Sequence, residues 1–200
     1  VGLGTLTLTS GTGLASNYTL VDGGRIATIT VANLTVTTSD VVKTYNGSLS
    51  VAGATTAPVA IVSGSTTRLF GSDTLSGGSY AFTNVNAGTG NRTVTVGSVT
   101  VNDGFAGGNY NVSYVDNTTS TINRAAITVS TSNVIKTYDA TTTALGTPVV
   151  TVGSLFTNAS NGNTADSLSG GSYAFTDANA GSGNRTVTVA GVSISDGNSG

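Results

Sequence analysis

Leu75-Ser-Gly-Gly-Ser-Tyr-Ala-Phe-Thr83 recurs as Leu168-Ser-Gly-Gly-Ser-Tyr-Ala-Phe-Thr176, 93 residues further on. Within it Tyr80 and Phe82 alternate with Ser79, Ala81 and Thr83, the period-2 pattern of a half-buried strand. Working outward, Lys43-Thr-Tyr-Asn46 recurs as Lys136-Thr-Tyr-Asp139 at the same offset, and 22 of 30 positions are identical between 75–104 and 168–197. The opening stretch belongs to the same series: Val1–Leu8 matches Val94–Val101, and Asn17-Tyr18 corresponds to Asn109-Tyr110 after a one-residue loop difference. A period of 93 is too long for a solenoid coil and suits an independently folding β-domain. It also argues against a flat ice-binding Thr array, because Thr93-Val-Thr95 and Thr186-Val-Thr188 sit a whole domain apart.

Further alternating pairs, Val94/Val96, Val99/Val101, Tyr110/Val112/Tyr114 and Ile127/Val129, predict seven or eight short strands per period. Gly97-Ser98 shifts the alternation by one and predicts a bulge or tight corner. Gly77-Gly78, Gly88-Thr-Gly90-Asn91, Asp103-Gly104 and Gly107-Gly108-Asn109 read as turns. The expected fold is all-β: tandem Ig-like β-sandwich repeats of about 93 residues, with a β-grasp arrangement, one sheet across a single helix, as the alternative. The expected frame has residues 1–32 as the last strands of a preceding repeat and 33–125 as a complete repeat. Residues 126–200 are then a second repeat lacking its last strands. The expected core is Tyr80, Phe82, Val94, Val96, Tyr110 and Val112, with Tyr173, Phe175, Val187 and Val189 in the second copy.

Composition narrows the chemistry. Thr (37), Gly (28), Ser (24) and Asn (18) fill 107 of 200 positions, and Cys, Met, Trp, His, Gln and Glu are all absent. Disulfides, Cys/His zinc sites, Ser-His-Asp triads and Glu-based glycosidase pairs are thereby excluded, so an enzyme is not expected. The formal charge is −2 and the seven cations are scattered singly, which argues against nucleic acid. No run of 18 apolar residues is present to span a bilayer and no leader precedes Val1, so a mature product or an excised segment, not membrane-spanning, is expected.

Lys136-Thr-Tyr-Asp139-Ala-Thr-Thr-Thr143, followed by Leu168-Ser-Gly-Gly and Asn179-Ala-Gly-Ser-Gly-Asn184, resembles the Gly-rich Tyr-Asp-Gly (YDG/MBG-type) repeats of filamentous-haemagglutinin-like bacterial surface adhesins. The resemblance covers essentially all 200 residues. Each copy departs from Lys-Thr-Tyr-Asp-Gly at one place, Asn46 in the first and Ala140 in the second, which suits a structural turn better than a ligand site. The resemblance implies an extracellular β-repeat at a bacterial cell surface whose role is extension, with host or matrix surfaces engaged by other parts of the protein.

The candidate sites are few. On a strand, Lys136 shares a face with Val134 and Tyr138. If that face is the core, Lys43 and Lys136 need partners, because an unpaired buried ammonium is costly. Asp73 and Asp166 recur at the right phase for an ion pair, and Asn86/Asn179 or Asn91/Asn184 for a Lys–Asn isopeptide bond. The competing reading is an edge-strand lysine whose head group reaches water. Gly11–Ser16 and Gly88–Thr93 look faintly like phosphate loops but lack the Gly-Lys-Ser/Thr ending and read as hairpin turns. Asp177-Ala-Asn179-Ala-Gly181 has the spacing of a calcium-loop start without the closing Glu, and Asp103-Gly104 and Asp196-Gly197 are equally compatible with turns. Glycosylation sequons stand at Asn17, Asn33, Asn46, Asn91, Asn111, Asn117, Asn158 and Asn184. Their number barely exceeds what 61 hydroxyl residues would produce by composition. No cofactor or metal is expected.

The expected function is a stalk or spacer repeat whose partners are further copies of itself, in the same chain or head-to-tail between chains by strand complementation. The alternative is a carbohydrate- or surface-binding module, which would present exposed aromatics such as Tyr45 and Tyr138 beside Phe105 or Phe156.

Overall fold

Alternating Val, Leu, Tyr and Phe among Thr and Ser build strands nearly everywhere. The computed structural model describes residues 7–21, 23–24, 26–52, 57–60, 69–156 and 165–196. Among the described residues seven strands fall in the first repeat: β1 (Ala32–Thr38), β2 (Val42–Thr44), β3 (Pro58–Ala60), β4 (Thr74–Phe82), β5 (Gly88–Asn102), β6 (Tyr110–Tyr114) and β7 (Asn117–Asn123). Four follow in the second: β8 (Thr128–Thr131), β9 (Pro148–Val152), β10 (Ser167–Phe175) and β11 (Val187–Ser195). Among the described residues the only helical element is a 3-10 turn at Ala15–Asn17, so the helix that a β-grasp arrangement requires is not found there.

In the first repeat the strands form two sheets, ordered β3-β1-β6 and β2-β7-β5-β4. β4 and β5 make an antiparallel hairpin with Tyr80 opposite Val96 and Phe82 opposite Val94. The earlier half of β5 turns to β7, pairing Gly88 with Ile122 and Arg92 with Ser120. β1 and β2 are successive pieces of one run of chain, and so are β6 and β7. β1 runs parallel to β6 and β2 parallel to β7, so the two runs pass side by side from one sheet to the other. At the crossing, where ladder bonds stop, side chains take over, as buried backbone groups require. The Val41 amide donates to the Ser120 hydroxyl (3.0 Å), which donates to the Asn117 carbonyl (2.7 Å). Asn117 and Thr119 both donate to Asp40, and these bonds hold its carboxyl below the usual range.

Each sheet pairing encloses its own apolar cluster. One holds Leu34, Val36, Val96, Val99, Val101 and Tyr110; the other holds Val41, Tyr45, Phe82, Val94 and Ile122. Each such side chain contributes roughly 1.5–3 kcal/mol by leaving water. Of the predicted core, Phe82, Val94, Val96 and Tyr110 are buried, while Tyr80 and Val112 are half-buried. The predicted corner is present: Ser98 has φ 52°, and its second-copy equivalent Gly191 has φ 64°. The predicted turn at Gly88–Thr93 is corrected, since these residues are strand, made so by β7 alongside.

The second repeat repeats β1, β4 and the later half of β5 at the 93-residue offset, and β3 at an offset of 90, where Pro148 lies opposite Thr131 as Pro58 lies opposite Thr38. Residues 135–137 and 181–186, counterparts of β2 and the earlier half of β5, are not strands. No described strand lies beside either of them. The consequence for packing is direct. Tyr173, Phe175, Val187 and Val189 were expected in a core and are half-buried; among the described residues of this repeat only Ala144 is buried. At the other end, the described part of residues 7–31 forms no strand. Its apolar side chains face water: Tyr18 is 73% exposed, Ile26 103% and Ile29 98%.

Candidate functional site: a lysine staple and the joint between repeats

The Lys-Thr-Tyr-Asn/Asp motif is a staple for its own loop. Lys43 in β2 is buried (9% exposed as a residue) and its three ammonium N–H bonds are placed. They go to the Asn46 side-chain oxygen (3.0 Å), the Ser48 carbonyl and the Ser50 carbonyl (3.0 Å). The Phe82 ring lies beneath, 5.2 Å from Nζ. Burial pushes the lysine pKa down, yet the acceptors keep the charge satisfied. Lys136 repeats the pattern, donating to the Thr141 carbonyl (2.7 Å) and hydroxyl (3.0 Å) and the Thr143 carbonyl (3.1 Å). Asp139 pairs with it at 2.7 Å and Phe175 lies 5.8 Å away. In both copies the accepting carbonyls stand five and seven residues after the lysine.

The lysines thus find neighbours other than Asp73 and Asp166. No ion pair joins Lys43 to Asp73 or Lys136 to Asp166 among the described residues, and the ammonium nitrogens meet neither Asn86/Asn179 nor Asn91/Asn184. Lys43 does not reach water as an edge-strand lysine either. Hydrogen bonds within three to seven residues are entropically cheaper to close than a pair thirty residues away.

Asp73 and Asp166 instead receive tyrosine hydroxyls. Tyr110 of β6 donates to Asp73 at 2.5 Å and accepts from the Phe70 amide (2.9 Å), with the Phe70 and Tyr110 rings stacked at 6.4 Å. In the second repeat the hydroxyl comes from the first: Tyr45 donates to Asp166 at 3.1 Å. Its ring meets Phe156 edge-on at 5.7 Å, and the Phe156 amide donates to Asp166 at 3.3 Å. Burial first, and Asp166 second, push the Tyr45 hydroxyl up to about 12. Tyr45, Phe156 and Asp166 thus clasp one repeat to the next beside a cavity of about 510 Å³. Sequence reasoning missed this joint because Phe156 falls opposite Ser63 at the repeat offset, so periodicity gives it no signal.

The remaining candidates are absorbed by local structure. Asp177 accepts from the Asn179 amide and side chain (both 2.8 Å) and from Arg185 (2.9 Å), so a cation already faces it. Asp103 accepts from the amides of Phe105, Gly107 and Asn109; these bonds outweigh desolvation and lower its carboxyl pKa. Asp196 ends the described stretch. No cluster of three or more metal-ligating side chains occurs among the described residues. Of the sequons, Asn17, Asn33, Asn91, Asn111 and Asn184 are exposed. The Asn46 oxygen serves Lys43 and Asn117 is tied into the crossing, while Asn158 lies outside the described residues. Tyr45 is buried, whereas Tyr138 and Phe105 are exposed.

Two abutting stretches, residues 30–121 and 123–200, each match the YDG domain. The chain belongs to the YDG domain family. Both YDG domains contain a complete lysine staple, which ties the family assignment to a defined piece of geometry. No curated protein and no solved structure matches the chain. No helix among the described residues is long and apolar enough to cross a membrane, a statement that does not bear on strand-built barrels.

Proposed function

We propose that these YDG domains are Ig-like β-sandwich spacer repeats in the stalk of a large bacterial surface adhesin or extracellular fibre. The observation carrying the reading is the parallel pairing of first and last strands. Because β1 runs with β6 and β2 with β7, the chain enters near Ala32 and leaves near Asn123 at the far end of the same ribbon. Tandem copies therefore add their lengths, by at most ~40 Å for a thirteen-residue extended run. The Tyr45–Phe156–Asp166 clasp supports a joint with a preferred angle, and a Thr/Gly/Asn surface suits exposure outside the cell. Partners in this reading are further copies of the repeat, with host or matrix surfaces met by other parts of the protein.

Small-angle scattering on chains of increasing repeat number tests the reading. The maximum dimension is expected to grow by a constant step per repeat; repeats folding back on one another, with no such growth, would sink it. The exposed Tyr138 and Phe105 favour a second reading, a carbohydrate- or surface-binding module. Glycan-array binding that disappears in Tyr138→Ala or Phe105→Ala would establish that alternative.

A further inference from the structure

We propose that Asn46 is a self-modification site, where the Lys43 staple promotes conversion of the side-chain amide to a carboxylate through a succinimide closed by the Gly47 backbone nitrogen. The reaction consumes one water, releases one ammonia and turns the first repeat's staple into the ion-paired form that the second repeat already has. It is independent of the spacer reading and its test leaves that reading untouched.

The two repeats hold the reactant and the product in one geometry. Asn46 Oδ1 accepts from Lys43 Nζ (3.0 Å) and from the Ser48 amide (3.2 Å). Asp139 Oδ1, 93 residues on, accepts from Lys136 Nζ (2.7 Å) and from the Thr141 amide (2.9 Å). The next residue is left-handed in both, Gly47 at φ 67° and Ala140 at φ 62°. A carboxylate therefore fits where the amide stands, with equivalent donors on the same oxygen. The difference lies in the capacity to react. Glycine follows Asn46 and has no Cβ to obstruct ring closure, whereas the second repeat already has its carboxylate and follows it with alanine.

Each step has its group in place. No hydrogen bond occupies the Gly47 amide among the described residues, so its nitrogen is available to bond to Asn46 Cγ as water takes its proton. Negative charge then develops on Oδ1, where the Lys43 ammonium and the Ser48 amide already point, the arrangement of an oxyanion hole. The Cγ–Nδ2 bond breaks and Nδ2 leaves as ammonia with a proton returned from water. Asn46 is exposed, so water reaches the succinimide and adds to Cγ. The bond between Cγ and the Gly47 nitrogen breaks, that nitrogen recovers a proton, and the new carboxyl gives one up to solvent. Attack at the main-chain carbonyl would leave isoaspartate instead. The donors face the side-chain oxygen, so ordinary aspartate is the favoured product.

The staple also explains why the change is favourable. Lys43 is buried against three neutral acceptors, and no carboxylate pairs with it among the described residues. Lys136 has Asp139. An ammonium withdrawn from water gains from an opposite charge at hydrogen-bond distance. Lys43 is the polarising group and not the nucleophile, because all three of its N–H bonds are committed and it offers no lone pair to Cγ.

Peptide mapping of the whole chain after incubation in neutral buffer tests the proposal. Trypsin, cutting after Lys43 and Arg68, isolates residues 44–68, whose one asparagine is Asn46, from the chain's other Asn-Gly pair, Asn161-Gly162. That peptide is expected to gain about 1 Da over days, as ordinary aspartate in excess of isoaspartate. The gain should be about tenfold faster in the folded chain than in the same chain held in urea, because only the fold brings the Lys43 ammonium to Oδ1. Lys43→Met should fall to the urea rate, and a loosened loop cannot exceed that rate. Gly47→Ala, in the conformation that Ala140 adopts, should fold and block the gain. Asn46→Asp, the product, should raise the first repeat's folding equilibrium constant by about fivefold, the scale of an ion pair with one exposed partner. No gain in residues 44–68, a folded rate no higher than in urea, isoaspartate as the main product, or a loss of one ammonia with Lys43 linked to Asn46 each overturns the proposal.

Discussion

Replacing Lys43 by Met would keep the aliphatic stem over Phe82 and remove every donor of the staple. Two backbone carbonyls, Ser48 and Ser50, would lose their partner, and each unmet acceptor costs about 1–3 kcal/mol. The Asn46 side chain is exposed and still accepts from the Ser48 amide (3.2 Å), so it adds little. Relief from burying an ammonium offsets part of the loss, leaving a net destabilisation of about 2–3 kcal/mol. The second repeat supplies the control. Lys136 has 22% of its side chain exposed and its acceptors lie at the surface, where water replaces the lost donor. Lys136→Met should cost under ~1 kcal/mol, the scale of a surface ion pair. Urea unfolding followed by tyrosine fluorescence and far-ultraviolet circular dichroism reads both variants, with a separate transition expected for each repeat. The prediction is a gap of about 2 kcal/mol between the two substitutions, confined to the first repeat's transition. Equal costs, or a Lys43→Met chain more stable than the parent, would show that desolvation of the ammonium outweighs its hydrogen bonds and that the motif is not a staple.

Ser98→Gly should stabilise the first repeat by about 1 kcal/mol, because a left-handed φ costs an L-residue and the second copy already places Gly191 there; Gly191→Ser should do the reverse, both read from urea midpoints. Phe82→Ala should cost about 3–5 kcal/mol, and Phe175→Ala less than half of that, since only the former is fully buried. Phenolate absorbance should show one tyrosine titrating near 12 that vanishes in Tyr45→Phe. Its raised folded pKa means the clasp is fully present below the ordinary value of 10.0 and is lost as pH rises through about 12. Asp139, held at about 2 first by Lys136 and then by Thr141, has the opposite sign: its contribution is present above 3.8 and lost as pH falls toward 2. Thermal midpoints of Asp139→Asn should therefore vary less over that window than those of the parent.

Alternation of Tyr80, Phe82, Val94 and Val96 was enough to set strands and their inward faces, because a period of two residues is a property of the local backbone. The 93-residue offset likewise placed the lysine motif, the Gly97-Ser98 corner and both aspartates at equivalent points, since repeated sequence repeats local geometry. What the sequence could not assign was every feature that depends on a distant partner. Gly88–Thr93 reads as a turn by composition and becomes a strand where β7 lies alongside; the near-identical 181–186, beside which no described strand lies, is irregular. Phe175 and Val187 carry the same alternation as Phe82 and Val94, yet burial needs something on the other side of the side chain, and only the tertiary structure supplies or withholds it. The lysine's choice of nearby carbonyls over Asp73, and the capture of Asp166 by Tyr45 of the neighbouring repeat, were decided the same way. Hydrogen-bond partners are selected by distance in the folded chain, and periodicity specifies phase without specifying distance.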